Sequence, residues 1–113
     1  MPEAELARLL AALPAWRLAP DGASLSRAFV ARNFLAALGF FEGVGAVAER
    51  EGHHPDLHLT DFRRVEVVVA THEGGQRVTM ADLVLAAKID ALPADYSPKW
   101  LREQRAEAAQ RGA

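Results

Sequence analysis

Residues 49–56, with the sequence EREGHHPD, mark the point at which the longest predicted helix ends and a strand pair follows. The helix is predicted from Phe34 to about Glu51, and Pro55 disfavours helical backbone at the residue before it. Adjacent side chains diverge on a helix and point to opposite faces of a strand. His53 and His54 can therefore serve one pocket only from irregular backbone, which is where active-site residues are often found.

A second strand pair and a helix are predicted downstream of this stretch. Leu57 to about Thr60 and Val65 to Thr71 are the strands, and the second alternates apolar valines with more polar residues. This alternation places His72 just beyond a strand end. The segment from Thr79 to Asp82 has the pattern of a capping box, which opens a helix from Met80 to Leu92.

Upstream, the sequence predicts one helix and a first strand pair. Leucines at helical spacing indicate an amphipathic helix from Glu3 to Leu13. Trp16 to Leu18 and Leu25 to Val30 are the strands, and the alternation in the second leaves its inner face open. Two hairpins separated by a long helix predict an α+β single domain, with a four-stranded antiparallel sheet and helices packed on one face.

Length, charge and cysteine content exclude several classes of protein. The 113 residues are enough for one domain, predicted over 1–113 with a C-terminal extension from about 94 to 113, in which Ser97 at the N-cap and Pro98 at N1 begin a last helix. A net charge of -2 argues against a nucleic-acid-binding protein, and the absence of cysteine excludes disulfides and thiolate nucleophiles. No signal peptide or membrane span is evident, so we expect a cytoplasmic protein.

Two helices carry features that predict contact with another surface. The helix from Met80 to Leu92 is apolar almost all round, so it has to be covered on two sides, and we expect a homodimer or homotetramer. Gly39, Gly43 and Gly45 lie inside the long helix, where each costs about 1 kcal/mol relative to alanine. Close packing against the sheet or a partner would offset that cost.

The polar residues at the ends of these elements form an ordered set along the chain. The set resembles the pterin-4a-carbinolamine dehydratases, and its members are Trp16, Glu49, His53-His54-Pro55, Phe62, Thr71-His72-Glu73 and Asp82. The resemblance implies the family's four-stranded sheet, its dimers and tetramers, and its reaction. That reaction eliminates water from a 4a-hydroxytetrahydropterin to give the quinonoid dihydropterin, as part of tetrahydrobiopterin recycling.

The resemblance also implies the residues that carry this chemistry. His53, His54 and His72 are the catalytic candidates: His53 and His72 would transfer protons, and His54 would orient the pterin. Histidine suits this role because its pKa of about 6.5 lets it give or take a proton near neutral pH. The sequence leaves open which histidine is the acid. Glu49, four residues before His53, would orient that ring.

Further residues are expected around the substrate, and they are Trp16, Gly52, Ala70, Thr71, Glu73 and Asp82. The pterin is the substrate, so we expect no cofactor and no metal. An aromatic amino acid hydroxylase is a possible pathway partner, and we expect neither nucleic acid nor membrane as a direct partner. Asp82 also has a structural explanation as part of the capping box, and Trp16 has one as a core aromatic.

Two alternative hypotheses belong to other functional classes. His54, His58 and His72 are a conceivable three-histidine zinc site, but no cysteine or tight helical His-x-x-x-His pair supports it, and His58 fits a solvated strand position. The other alternative is a non-catalytic partner, assembly factor or coactivator on the same fold. The three histidines favour chemistry over this second hypothesis.

Overall fold

In the computed structural model, which describes residues 1–71 and 77–112, helices and strands follow one another in nearly the predicted order and extent. They are α1 (Glu3–Ala11), β1 (Trp16–Leu18), β2 (Leu25–Val30), α2 (Phe34–Glu51), β3 (Asp56–Thr60), β4 (Arg64–Val69), α3 (Met80–Asp90) and α4 (Pro98–Gly112).

The four strands form one antiparallel sheet in the order β1-β2-β4-β3. Leu25 pairs with Val69 and Arg27 with Val67, so the buried faces of the two central strands coincide. The predicted valine face of β4 is confirmed, because Val65, Val67 and Val69 are all buried. The expected α+β fold, with a four-stranded antiparallel sheet, is confirmed.

Helices α2 and α3 supply the apolar layer that covers this inner face. Buried side chains of α2 and α3 belong to the same core cluster as those of β2 and β4: Ala37, Phe40, Val44, Val47, Leu83, Leu85, Ala86 and Ile89. At the surface, Lys88 Nζ donates to Glu51 Oε2 at 2.8 Å and joins the last turn of α2 to α3. The end of α2 is thereby held beside α3.

The glycines of α2 divide into two groups. A Cβ at Gly43 would lie 3.3 Å from a Leu92 side-chain carbon, so this glycine is closely packed, but against a residue that follows α3 and not against the expected sheet or partner. Gly39 and Gly45 have nothing within 4 Å of such a Cβ, and the expectation is wrong for their contacts within the chain. Gly39 is exposed and Gly45 is half-buried.

The C-terminal segment is attached to the sheet by an aromatic and ionic cluster. Arg27 is 6% exposed, donates to Asp90 Oδ1 at 3.0 Å and to the Tyr96 hydroxyl at 2.7 Å, and lies on the inner face of β2. Tyr96 forms an isolated bridge with Ala31 and stacks on Trp100 of α4 at 5.4 Å. Beyond its first two turns, α4 is exposed.

Several predicted boundaries shift by a few residues. The first helix ends at Ala11 instead of Leu13, and α3 ends at Asp90 instead of Leu92. Strand β4 ends at Val69 because its pairing with β2 stops where β2 begins, at Leu25. In the part of the chain that the structure describes, no helix has the length and apolar character of a membrane span.

Candidate active site

The end of α2 determines where the histidine pair begins. Gly52 adopts a left-handed conformation with φ of 63°, and its N–H bonds to the carbonyl of Ala48. The N–H of His53 also bonds to Ala48 O, at 3.2 Å. Glycine occupies such a position without the steric cost that a Cβ would bring. The chain therefore turns out of the helix, and His53 leaves the face of α2.

Asp82, in the first turn of α3, is the acceptor that meets His53. Its carboxylate completes the predicted capping box by accepting the N–H of Thr79 on Oδ2 at 2.8 Å. Its other oxygen, Oδ1, accepts from His53 Nε2 at 2.7 Å. Asp82 is 0% exposed, whereas the His53 side chain is 21% exposed. A fully buried carboxylate thus holds one nitrogen of a ring that reaches the surface.

Thr71, two residues beyond the end of β4, adds a hydroxyl to this cluster. Its Oγ1 lies 3.0 Å from Asp82 Oδ1 and 2.9 Å from Asp82 Oδ2, and 2.9 Å from Thr79 Oγ1. The ends of α2 and β4 and the start of α3 therefore meet at Asp82.

Glu49 is the partner of His54, and not of its neighbour His53 as expected. His54 Nε2 is hydrogen-bonded to Glu49 Oε2, and both side chains are well exposed. The hypothesis that Glu49 orients His53 is therefore wrong in this structure. The i, i+4 relation requires both residues to be helical. Because Gly52 ends the helix, the His53 ring turns towards α3 and His54 returns to Glu49.

The remaining predicted site residues are distributed as follows. Gly52 caps α2, and Ala70 directly follows β4. Trp16 is a buried core residue whose indole Nε1 donates to Asp90 Oδ1 at 2.9 Å. Asp90 lies eight residues along α3 from Asp82, about 12 Å at the helical rise, so the structure does not bring Trp16 to the His53 cluster. His72 and Glu73 lie outside the described residues.

His58 lies on the opposite face of the sheet from the core. It is exposed and pairs in register with Glu66 across β3 and β4. The sequence interpretation of His58 as a solvated strand residue is confirmed.

The hydrogen bond to Asp82 determines which nitrogen of the His53 ring is free to accept a proton. A carboxylate accepts hydrogen bonds, so Nε2 carries the proton that Asp82 Oδ1 receives. The lone pair of a neutral His53 is then on Nδ1, the nitrogen that Asp82 does not contact. An acid–histidine pair of this kind fixes the tautomer and stabilises the imidazolium that forms when the ring takes a proton.

Two signals for this geometry were present in the sequence. Gly52, directly after the last predicted helical residue, is typical of a left-handed helix end. An aspartate at the N3 position of α3 has one carboxylate oxygen to spare after capping the helix. What the sequence lacked was any local indication that His53 would be the donor to that oxygen.

Comparisons with known proteins identify the family of this chain. A sequence model of the family described as Pterin 4 alpha carbinolamine dehydratase matches residues 1–92. The chain is 40% identical over 94 residues to Pterin-4-alpha-carbinolamine dehydratase 2, mitochondrial, of Arabidopsis thaliana. That match covers 81% of this chain and 50% of the relative, so the chain spans about half the length of that relative.

Two solved structures are similar in fold. A transcriptional coactivator/pterin dehydratase from Brucella melitensis matches with a TM-score of 0.72 and 32% identity, over 80% of this chain and 95% of that one. A pterin dehydratase-like protein identified as a RuBisCO assembly factor in the alpha-carboxysome matches with a TM-score of 0.55 and 22% identity, over 68% and 87%. The second likeness concerns the fold alone. The match over residues 1–92 shows that this chain belongs to the pterin-4a-carbinolamine dehydratase family.

Proposed function

We propose that the protein is a 4a-hydroxytetrahydropterin dehydratase, a hydro-lyase that works by histidine acid–base catalysis. The observation that carries the proposal is the hydrogen bond from His53 Nε2 to the buried Asp82 at 2.7 Å, in a chain that belongs to the dehydratase family. A histidine oriented by a carboxylate is suited to proton transfer near neutral pH.

The reaction breaks the C4a–O bond and forms a C4a–N5 double bond. The N5 proton has to be removed, and the 4a-hydroxyl has to leave with an added proton as water. We infer that His53 is the base and accepts the N5 proton on Nδ1, because Asp82 stabilises the imidazolium that results. His72 is the predicted partner that protonates the leaving hydroxyl, and His54, paired with Glu49, is the predicted substrate-orienting residue.

Stopped-flow decay of a synthetic 4a-hydroxytetrahydropterin tests this function. We expect His53→Gln and His72→Gln to lower kcat by about a hundredfold or more, within the range of positioned proton transfer. His54→Gln is expected to act mainly on KM. His58→Gln is the matched control, because His58 is exposed on the other face of the sheet, and it should retain wild-type rates.

If all four variants keep the wild-type rate, the enzymatic proposal is contradicted. The non-catalytic hypothesis would then take its place, with the chain acting as a coactivator or an assembly factor by analogy with the two proteins of similar structure. A homo-oligomeric state, a hydroxylase as pathway partner and a cytoplasmic location stay predictions from the sequence.

A further inference from the structure

The hydroxyl of Thr71 lies among three oxygen atoms, and each of them could take its proton. These are Asp82 Oδ2 at 2.9 Å, Asp82 Oδ1 at 3.0 Å and Thr79 Oγ1 at 2.9 Å. A threonine hydroxyl has one proton to donate. The direction of the Thr71–Thr79 hydrogen bond therefore decides whether Asp82 receives the Thr71 proton.

Proton counting selects one direction. If Thr71 donated to Thr79, Thr71 Oγ1 would face both carboxylate oxygens within 3.0 Å with no proton between them. If Thr79 donates to Thr71 and Thr71 donates to Asp82, only the longest contact, Thr79 Oγ1 to Asp82 Oδ2 at 3.2 Å, lacks a proton. The second arrangement avoids the close approach of acceptors, so the hydrogen bonds run from Thr79 to Thr71 to Asp82.

This direction gives the Asp82 carboxylate three donors. The Thr79 N–H is on Oδ2, the His53 Nε2–H is on Oδ1, and the Thr71 O–H is almost equidistant from both oxygens. Thr71 therefore shares Oδ1 with His53. Because Asp82 is fully buried, water cannot replace a donor that is lost.

We propose that Thr71 is a positioning residue for His53, with its hydroxyl oriented by Thr79. Thr71 takes part of the hydrogen-bonding capacity of Asp82 Oδ1, so it limits how strongly that oxygen holds the His53 proton. Thr71 also fixes the plane of the carboxylate, and the carboxylate orients the His53 ring. The Thr71 hydroxyl is occupied by Asp82 and does not need to touch substrate. Its effect on rate rests on the function proposed above, whereas its effect on the His53 ring does not.

The test compares Thr71→Val, which removes the hydroxyl at nearly constant volume, with Thr71→Ser, which keeps it. In Thr71→Val we expect kcat to fall about tenfold, because the carboxylate that orients the His53 ring is no longer held in its plane, with KM unchanged. In ¹H–¹⁵N spectra of the ¹⁵N-histidine-labelled protein, the resonance of the His53 Nε2–H proton should move downfield, because its hydrogen bond to Asp82 Oδ1 becomes stronger. Thr71→Ser should restore both.

Thr60→Val is the matched control, because Thr60 is exposed on β3 and should change neither readout. Wild-type kcat and an unmoved His53 resonance in Thr71→Val would overturn the proposal. So would a Thr71→Ser protein that behaves like Thr71→Val. If Thr71→Val does not fold, Thr71→Ala removes the same hydroxyl and is judged by the same criteria. If the wild type itself lacks dehydratase activity, the proposed function fails while the spectra still decide the role of Thr71.

Discussion

Asp82 combines a structural and a chemical task in one carboxylate. One oxygen completes the capping box of α3, and the other holds the ring of His53. A capping aspartate is ordinarily close to solvent, where losing it costs about 1 kcal/mol. Here the residue is fully buried, so its loss should affect both the stability of the fold and the orientation of the histidine.

We predict that Asp82→Asn destabilises the protein by about 1–3 kcal/mol and lowers kcat at least about tenfold. The asparagine amide keeps the volume but places a donor where the carboxylate had accepted from Thr79 or His53. Urea unfolding and carbinolamine dehydration measure the two effects. Asp95→Asn is the control, because its ion pair with Arg32 is exposed and worth about 0–1 kcal/mol. Equal losses in both variants would contradict the prediction.

At the scale of the elements, the end of α2 sets the direction of both histidines. Gly52 stops the helix in a left-handed conformation, and the Lys88–Glu51 ion pair holds its last turn to α3. A glycine at such a site should be hard to replace for reasons of backbone conformation alone, because nothing lies within 4 Å of the Cβ it would gain. Gly39 has the same open surroundings inside the helix.

We predict opposite effects for the same substitution at these two glycines. Gly52→Ala should destabilise the protein by about 1–2 kcal/mol, the cost of left-handed backbone for a residue with a Cβ. Gly39→Ala should stabilise it by about 0.5–1 kcal/mol, because alanine loses less backbone entropy in a helix. Urea midpoints at one protein concentration provide the comparison. A stabilised Gly52→Ala protein would contradict the left-handed backbone conformation of Gly52.

At the scale of the whole molecule, the single chain leaves apolar side chains exposed on its helices. Leu35 is 77% exposed, and its neighbours Phe34 and Leu38 are also exposed at the start of α2. Met80 and Val84 of α3 are exposed as well. Contiguous exposed apolar groups commonly mark protein–protein contacts. They agree with the sequence prediction of a homodimer or homotetramer.

We therefore expect light scattering to give a mass that is a multiple of the 12.3 kDa chain. Leu35→Glu should reduce that mass to the monomer, since it would place a charge in the middle of an apolar contact. Ala109→Glu adds the same charge on the exposed part of α4 and should leave the assembly intact. A monomeric wild type would contradict the prediction.

Local features of the sequence determined most of the elements. The bounds of α2, the capping box at Thr79 and the buried face of β4 all follow from periodicity and capping chemistry, which act within a few residues. The same applies to the start of α4, where Ser97 Oγ accepts the N–H of Trp100. These features depend on residues that are close together in the chain, so they can be predicted from the sequence alone.

Only the tertiary structure decided which polar groups meet. His53 takes Asp82, 29 residues away, and the helical spacing that favoured Glu49 no longer applies once Gly52 has ended α2. The inner face of β2 was equally undecided, because Arg27 is buried only where Asp90 and Tyr96 are brought to it by α3 and the C-terminal segment. Partners of this kind depend on how distant elements pack, and no local pattern encodes them.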